Sequence, residues 1–292
     1  MYDIEEFYVA ESVEDAVSKK ILYPEAIIIS GGSDVLIKIR EGHFAGKSLI
    51  SIHDIASLKG VEKREDGTIV IGPATTFTEI EEHPLIRDNI AVLGEAVSMV
   101  GSPQIRNIGT IGGNVCNGVT SADSASTLFA LNAKLELTGK DRKKTVPIEE
   151  FYIGPGKTTL EKDELLTAIL IEEKDYKNHY GNYIKYGKRN AMEIATLGCV
   201  VVVELSKDKQ YIEDIRIAFG VAAPTPIRCK NTENQLRGKK IEESVYRTIY
   251  ESVVTEVNPR SSWRASKEFR LQLISELSMR ALKEAVDRAG KE

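Results

Sequence analysis

The chain has 292 residues, 42% of them hydrophobic and 28% charged, enough to bury the core of one large domain or of two ordinary ones. Its net charge of −5 and pI near 5.6 argue against general nucleic-acid binding, and no apolar run approaches the roughly 18 residues that span a membrane. The acidic, amphipathic start "MYDIEEFYVAESVEDA" lacks the basic region and apolar core of a signal peptide, so a cytoplasmic protein is expected.

Taken in chain order, Ser12 is predicted to cap a helix that runs to about Lys20. Residues 26–30 form a short apolar strand closed by Gly31-Gly32. Ser33 is then expected to cap a helix over 34–40, with the Asp34 carboxylate turned back onto its first turn. Strands are predicted at 48–52 and around Val61 and Ile69, the last two joined by a Glu65-Asp66-Gly67 turn. Helical periodicity covers 76–82 and 85–100, with Pro84 between them. A helix over 124–131 and a strand over 134–138 follow.

From about Tyr176 the texture changes. Strands are predicted at 183–188, 195–205 and 211–221, then helices at 242–257 and 266–289. In the last helix Phe269, Leu273, Leu277 and Ala281 recur every fourth residue and predict one buried stripe. Strands and helices mix without regular alternation, so the fold class is α+β. Two domains are expected: 1–175, divided internally near 55–60, and 176–292, a three-stranded antiparallel sheet plus helices. Cys116, Cys199 and Cys229 are too few and too scattered for a disulfide framework, and the four histidines lack ligand spacing; no metal site is expected.

Two stretches carry chemistry. In "IIISGGSDVL" a strand runs into Gly-Gly-Ser at a helix start, which aims backbone N–H groups at one point and suits a phosphate; a tight turn without a ligand would look the same. "GTIGGN", residues 109–114, offers amides, a hydroxyl and a carboxamide with no bulky side chain. Neither is GxGxxG, and "FYIGPGKTT" fails as a P-loop because Phe151 stands where the first glycine belongs. Two small-residue cradles suit an elongated dinucleotide. Asp123 then either bonds that ligand's hydroxyl or ring nitrogen, or caps the helix that follows.

Six segments in order, "ISGGSDVLIKI", "GSPQIRNIGTIGGNVCNG", "ADSA", "IKYGKRNAMEIATLG", "AFGVAAPTPIRC" and "RSSWRASKEFR", span nearly the whole chain. Together they resemble the FAD-binding (medium) subunits of molybdenum hydroxylases, of the xanthine dehydrogenase type. The resemblance implies a two-part FAD-binding domain of the vanillyl-alcohol-oxidase type, followed by a carbon monoxide dehydrogenase flavoprotein-like C-terminal domain. It also implies non-covalent FAD and assembly with an iron–sulfur subunit and a molybdopterin-binding subunit, which would carry the [2Fe–2S] and molybdopterin centres. Electrons would pass from those centres through FAD to NAD. By the same resemblance, Ile28, Ile29, Ser30, Gly31, Gly32, Ser33, Asp34 and Val35 form the first FAD loop. Thr110, Ile111, Gly112, Gly113 and Asn114 form the second, and Asp123, Leu166 and Lys185 also contact FAD. Val100 stands where eukaryotic relatives carry a phenylalanine, so it offers no ring to stack. No side chain is expected to act as a catalytic acid or base, since the flavin does the chemistry. A self-contained FAD-dependent oxidoreductase and a non-redox nucleotide-binding module are the alternatives.

Overall fold

The computed structural model describes residues 3–291. The chain opens with β1 (Ile4–Val9), α1 (Val13–Leu22), β2 (Ile27–Ile29), α2 (Val35–Arg40) and β3 (Lys47–Ser51). The three strands are parallel in the order β1-β3-β2, and the helices provide the crossovers that parallel pairing requires. Ser12 caps α1 as its residue type dictates, accepting from the Asp15 amide at 3.0 Å.

A longer second unit follows. It runs through β4 (Val61–Lys63), β5 (Ile69–Ile71), α3 (Phe77–Glu82), α4 (Pro84–Asn89), α5 (Ala91–Ser98), α6 (Pro103–Arg106), α7 (Ile111–Cys116) and α8 (Asp123–Ala130). It is completed by β6 (Lys134–Thr138), β7 (Lys143–Pro147), α9 (Ile148–Phe151), β8 (Tyr152–Gly154), β9 (Lys157–Thr158) and β10 (Leu165–Ile171). Five of these strands form an antiparallel sheet in the order β4-β5-β10-β6-β7. The single helix predicted over 85–100 is two, because the buried Ile90 leaves helical backbone between α4 and α5. "GTIGGN" is no open loop: most of it is the first turn of α7.

The third unit holds β11 (His179–Tyr186), β12 (Leu197–Leu205), β13 (Ile212–Gly220) and β14 (Ile227–Arg228), then α10 (Lys230–Leu236), α11 (Glu243–Ser252) and α12 (Lys267–Lys291). Its antiparallel sheet has four strands rather than the expected three, the two-residue β14 closing the β13 edge. The sheet is buried on both faces, and β12 shows how. Val200 and Val202 join the core under α5 and α8, while Cys199, Val201 and Val203 pack against α11 and α12. A strand covered on both sides reads as a continuous apolar run rather than as an alternation. In α12 the predicted stripe is buried at Leu273, Leu277 and Ala281, but Phe269 is 43% exposed. It lies in the first turn, where its ring meets Tyr186 of β11 edge-on at 5.8 Å but is not covered further.

Candidate functional site

A cavity of about 570 Å³ opens where the parallel sheet, α7 and β10 meet, a size within the range of small-molecule sites. Of the seventeen residues singled out from sequence, thirteen line it. They are Ile28, Ser30, Gly31, Gly32, Ser33, Asp34, Val35, Val100, Thr110, Gly112, Gly113, Asn114 and Leu166. Ile29 and Ile111 are buried in the packing behind the wall, at 7% and 0% exposure. Asp123 and Lys185 are not among the lining residues.

The β2–α2 turn is built to present amides. Gly32 has φ +73°, which reverses the chain at little cost only for glycine. The amides of Gly32 and Ser33 have no protein acceptor among the described residues, and the Ser30 hydroxyl is buried without a partner. A buried polar atom of this kind calls for a ligand or water. Asp34, not Ser33, is the N-cap residue of α2, and its side chain makes no capping bond; it stands exposed instead of folding back. Its carboxylate is therefore an exposed negative charge on a residue that also lines the cavity. Lys38 Nζ donates to Asn117 Oδ1 at 2.7 Å, tying α2 to the end of α7 across the wall.

The second stretch differs from the expected amide cradle. The Ile111 and Gly112 amides already bond the Thr75 and Pro73 carbonyls at 3.1 and 2.8 Å, and the Gly113 and Asn114 amides are taken by Thr110. Its glycines answer to packing as much as to a ligand. A Cβ on Gly112 would stand 2.3 Å from Pro73 Cβ, and one on Gly31 would stand 1.8 Å from the Ile108 carbonyl oxygen. What excludes larger side chains at those two positions is another part of the chain. Gly113 is different: a Cβ there meets only Thr110 Oγ1, at 3.1 Å.

Asp123 occupies the first turn of α8, so it does not cap that helix; Ala122 holds the N-cap position. Its carboxylate accepts from Tyr183 Oη at Oδ1 and from Lys185 Nζ at Oδ2, each at 2.7 Å. Tyr183 and Lys185 lie two apart on β11, so both project from the same face of the strand toward α8. Burial pushes the Asp123 carboxyl above its usual range, while the Lys185 charge and both hydrogen bonds oppose the rise. Lys185 also donates to the Met99 carbonyl at 2.8 Å, beside the lining residue Val100. Lys185 is thus a buried brace of the cavity wall rather than an exposed strand lysine.

Sequence reasoning did not find the remaining lining. Phe77, Ile105, Leu160 and Leu165 add apolar lining, and Ile194 reaches the cavity from the third unit. Cys116 also lines it; burial pushes its thiol pKa up to about 12, so it stays protonated and is a poor nucleophile at neutral pH.

A mixed α+β chain whose glycine turn, α7 wall and apolar side chains meet at one cavity has the lining of a small-molecule-binding protein. Comparison with known proteins makes this specific. Residues 2–171 match the family model described as the FAD binding domain in molybdopterin dehydrogenase, and residues 182–285 match the CO dehydrogenase flavoprotein C-terminal domain. The chain is 42% identical over 291 residues to the xanthine dehydrogenase FAD-binding subunit of Escherichia coli O157:H7, with 99% of each chain covered. It is 30% identical to the nicotinate dehydrogenase FAD-subunit of Eubacterium barkeri, covering 90% of this chain and 91% of that one. A solved structure of carbon monoxide dehydrogenase from Hydrogenophaga pseudoflava contains a chain that superposes with a TM-score of 0.93 at 27% identity, 99% of each chain being covered. The protein belongs to the family of FAD-binding subunits of the molybdenum hydroxylases and is xanthine dehydrogenase-like.

Proposed function

We propose that the chain carries non-covalent FAD between an iron–sulfur partner subunit and NAD, within a xanthine-dehydrogenase-type complex that also holds a molybdopterin subunit. The observation that carries this reading is the convergence of both family loops on one cavity that combines free amides with apolar side chains. The free amides of Gly32 and Ser33 and the unpartnered Ser30 hydroxyl fit a pyrophosphate, and Lys38 of α2 also lines the cavity. Phe77, Val100, Leu165 and Leu166 offer the apolar surface that a ring system needs. At Gly113, which also lines the cavity, a Cβ would meet only Thr110 Oγ1.

When bound, FAD supplies the conversion between single electrons and hydride. The residues of this chain bind and orient it. Thr110, Gly112 and Gly113 keep the wall thin, and the apolar residues exclude water. Asp123 and Lys185 hold α8, β11 and the Met99–Val100 segment in fixed relation, so that the wall near the ring end keeps its shape. Hydroxylation of the organic substrate belongs to the molybdopterin subunit in this reading.

The test is spectroscopic. The purified chain should be yellow and should release flavin on denaturation, and NADH should bleach the visible band without any partner. Xanthine should bleach it only once the iron–sulfur and molybdopterin subunits are added. Rapid bleaching by xanthine with this chain alone, or a colourless well-folded protein that takes up no FAD, would overturn the proposal.

A further inference from the structure

Two segments far apart in sequence build one exposed patch on the third unit. The first is the loop after β11, residues 187–196, and the second is the approach to α12, residues 260–269. They meet where Lys188 Nζ lies 5.4 Å from the centre of the Trp263 ring. Trp263, the only tryptophan of the chain, is 76% exposed, and Met192 and Ile194 are 64% and 53% exposed. Met192 is also held in the left-handed backbone region at φ 56°, an uncommon state for a bulky residue. Large apolar side chains left in water together mark a surface that is covered in use.

The patch is cationic although the chain carries a net charge of −5. The Arg264 guanidinium sits 4.4 Å from the Trp263 ring centre, and Arg189 and Arg260 are exposed nearby. Beneath them Arg270 is 2% exposed. It donates to the Thr196 carbonyl and to Ser262 Oγ at 2.9 Å, but has no carboxylate partner among the described residues. Its Nε and the Thr196 hydroxyl are buried without partners. A buried guanidinium with no counter-charge adds to the positive potential of the surface above it. Trp, Met and Arg are the residue types enriched at protein interfaces, and tryptophan and arginine dominate their energetics.

We infer that this patch docks the acidic face of a partner protein, and that the partner is the iron–sulfur subunit of the complex proposed above, on which the inference rests. The choice of subunit follows from Ile194, which belongs both to the patch and to the cavity wall. A protein seated on the patch therefore sits at the edge of the flavin cavity, where electrons must arrive.

The test co-expresses the three chains and captures them through a tag on this one, comparing wild type with Trp263→Glu and with Lys188→Glu/Arg264→Glu. None of these residues lines the cavity. Both variants should keep flavin and NADH bleaching while association with the iron–sulfur chain weakens by about thirtyfold, the loss expected of a hot-spot residue. Wild-type association should also weaken as salt rises. Retention of the iron–sulfur chain at wild-type stoichiometry by both variants overturns the inference, as does loss of the molybdopterin chain alone. If the wild-type chain itself captures no iron–sulfur subunit, the reading of the protein as a subunit fails first and takes this one with it.

Discussion

Lys185 and Asp123 meet at 2.7 Å, with side chains only 12% and 7% exposed, and join strand β11 to helix α8. Removing one member of a buried pair leaves the other uncompensated, at a cost of about 3–5 kcal/mol. Asp123→Ala should therefore destabilise the flavin-free chain by that much in denaturant unfolding, beyond the roughly 1 kcal/mol of a lost helix cap. Asp123→Asn combined with Lys185→Met should recover part of the loss, because no charge is then left unpaired. A cost below 1 kcal/mol for Asp123→Ala would show that the pair does not brace the wall.

Gly31 and Gly113 should respond oppositely to alanine. At Gly31 the new methyl would meet the Ile108 carbonyl oxygen at 1.8 Å, a backbone atom that cannot swing aside. Overpacking of this kind costs about 1–3 kcal/mol, so Gly31→Ala should lower the melting temperature of the flavin-free chain. Gly113 lies in α7, where alanine gains up to about 1 kcal/mol of helix propensity, partly offset by the 3.1 Å approach to Thr110 Oγ1. Gly113→Ala should thus leave thermal stability unchanged or raised while weakening FAD binding by about tenfold, roughly 1.4 kcal/mol. Unchanged FAD affinity in that variant would remove Gly113 from the binding wall.

At Gly32 the argument is conformational. A φ of +73° penalises any side chain by about 1–2 kcal/mol, and a Cβ would press Ile29 Cδ1 at 3.2 Å and Leu36 at 3.4 Å. Gly32→Val should remain folded, with reduced stability, and should lose flavin because the amides of the turn are displaced. Tight FAD binding by the folded variant would mean that this turn does not hold the pyrophosphate.

Much of this was legible in the sequence where local chemistry decides. Ser12 as a cap, the Glu65-Asp66-Gly67 turn with Gly67 at φ +83°, and a strand over 195–205 all follow from residue type and period. What depended on distant parts of the chain was not. The small residues of α7 read as an open cradle because sequence alone does not show Pro73 and Thr75 lying over its amides. That Asp123 would reach Tyr183 and Lys185, sixty residues on in the sequence, was not read from it. A signal was present there: Tyr183 and Lys185 alternate on one face of a strand, and two polar groups on a buried face need a buried acceptor. Phe269 was misassigned because periodicity marks a face of a helix and not how completely each turn of that face is covered.

Asp214 sets the acid limit of the third unit. Burial alone would push its carboxyl up. Contact with His179 at 3.3 Å, bonds from Arg237 at 2.9 Å and Arg216 at 2.8 Å, and the charges of both arginines outweigh that and hold it far below the usual carboxylate range. Arg216 reaches on to the Asp175 carbonyl at 2.8 Å, so the cluster ties β13 to the segment that ends the second unit. A carboxyl whose folded pKa lies below its unfolded value, about 3.9, contributes stability at every pH above that value and loses it as pH falls toward the folded pKa. The unfolding free energy of the wild-type chain should therefore be steady above about pH 5 and fall steeply below about pH 4. Asp214→Asn should cost about 1.5–3 kcal/mol at pH 7, the value of hydrogen bonds to a charged group, and should flatten the decline below pH 4. Denaturant titrations of both proteins between pH 7 and pH 3 measure the two slopes, and equal slopes would show that other carboxylates set the acid limit.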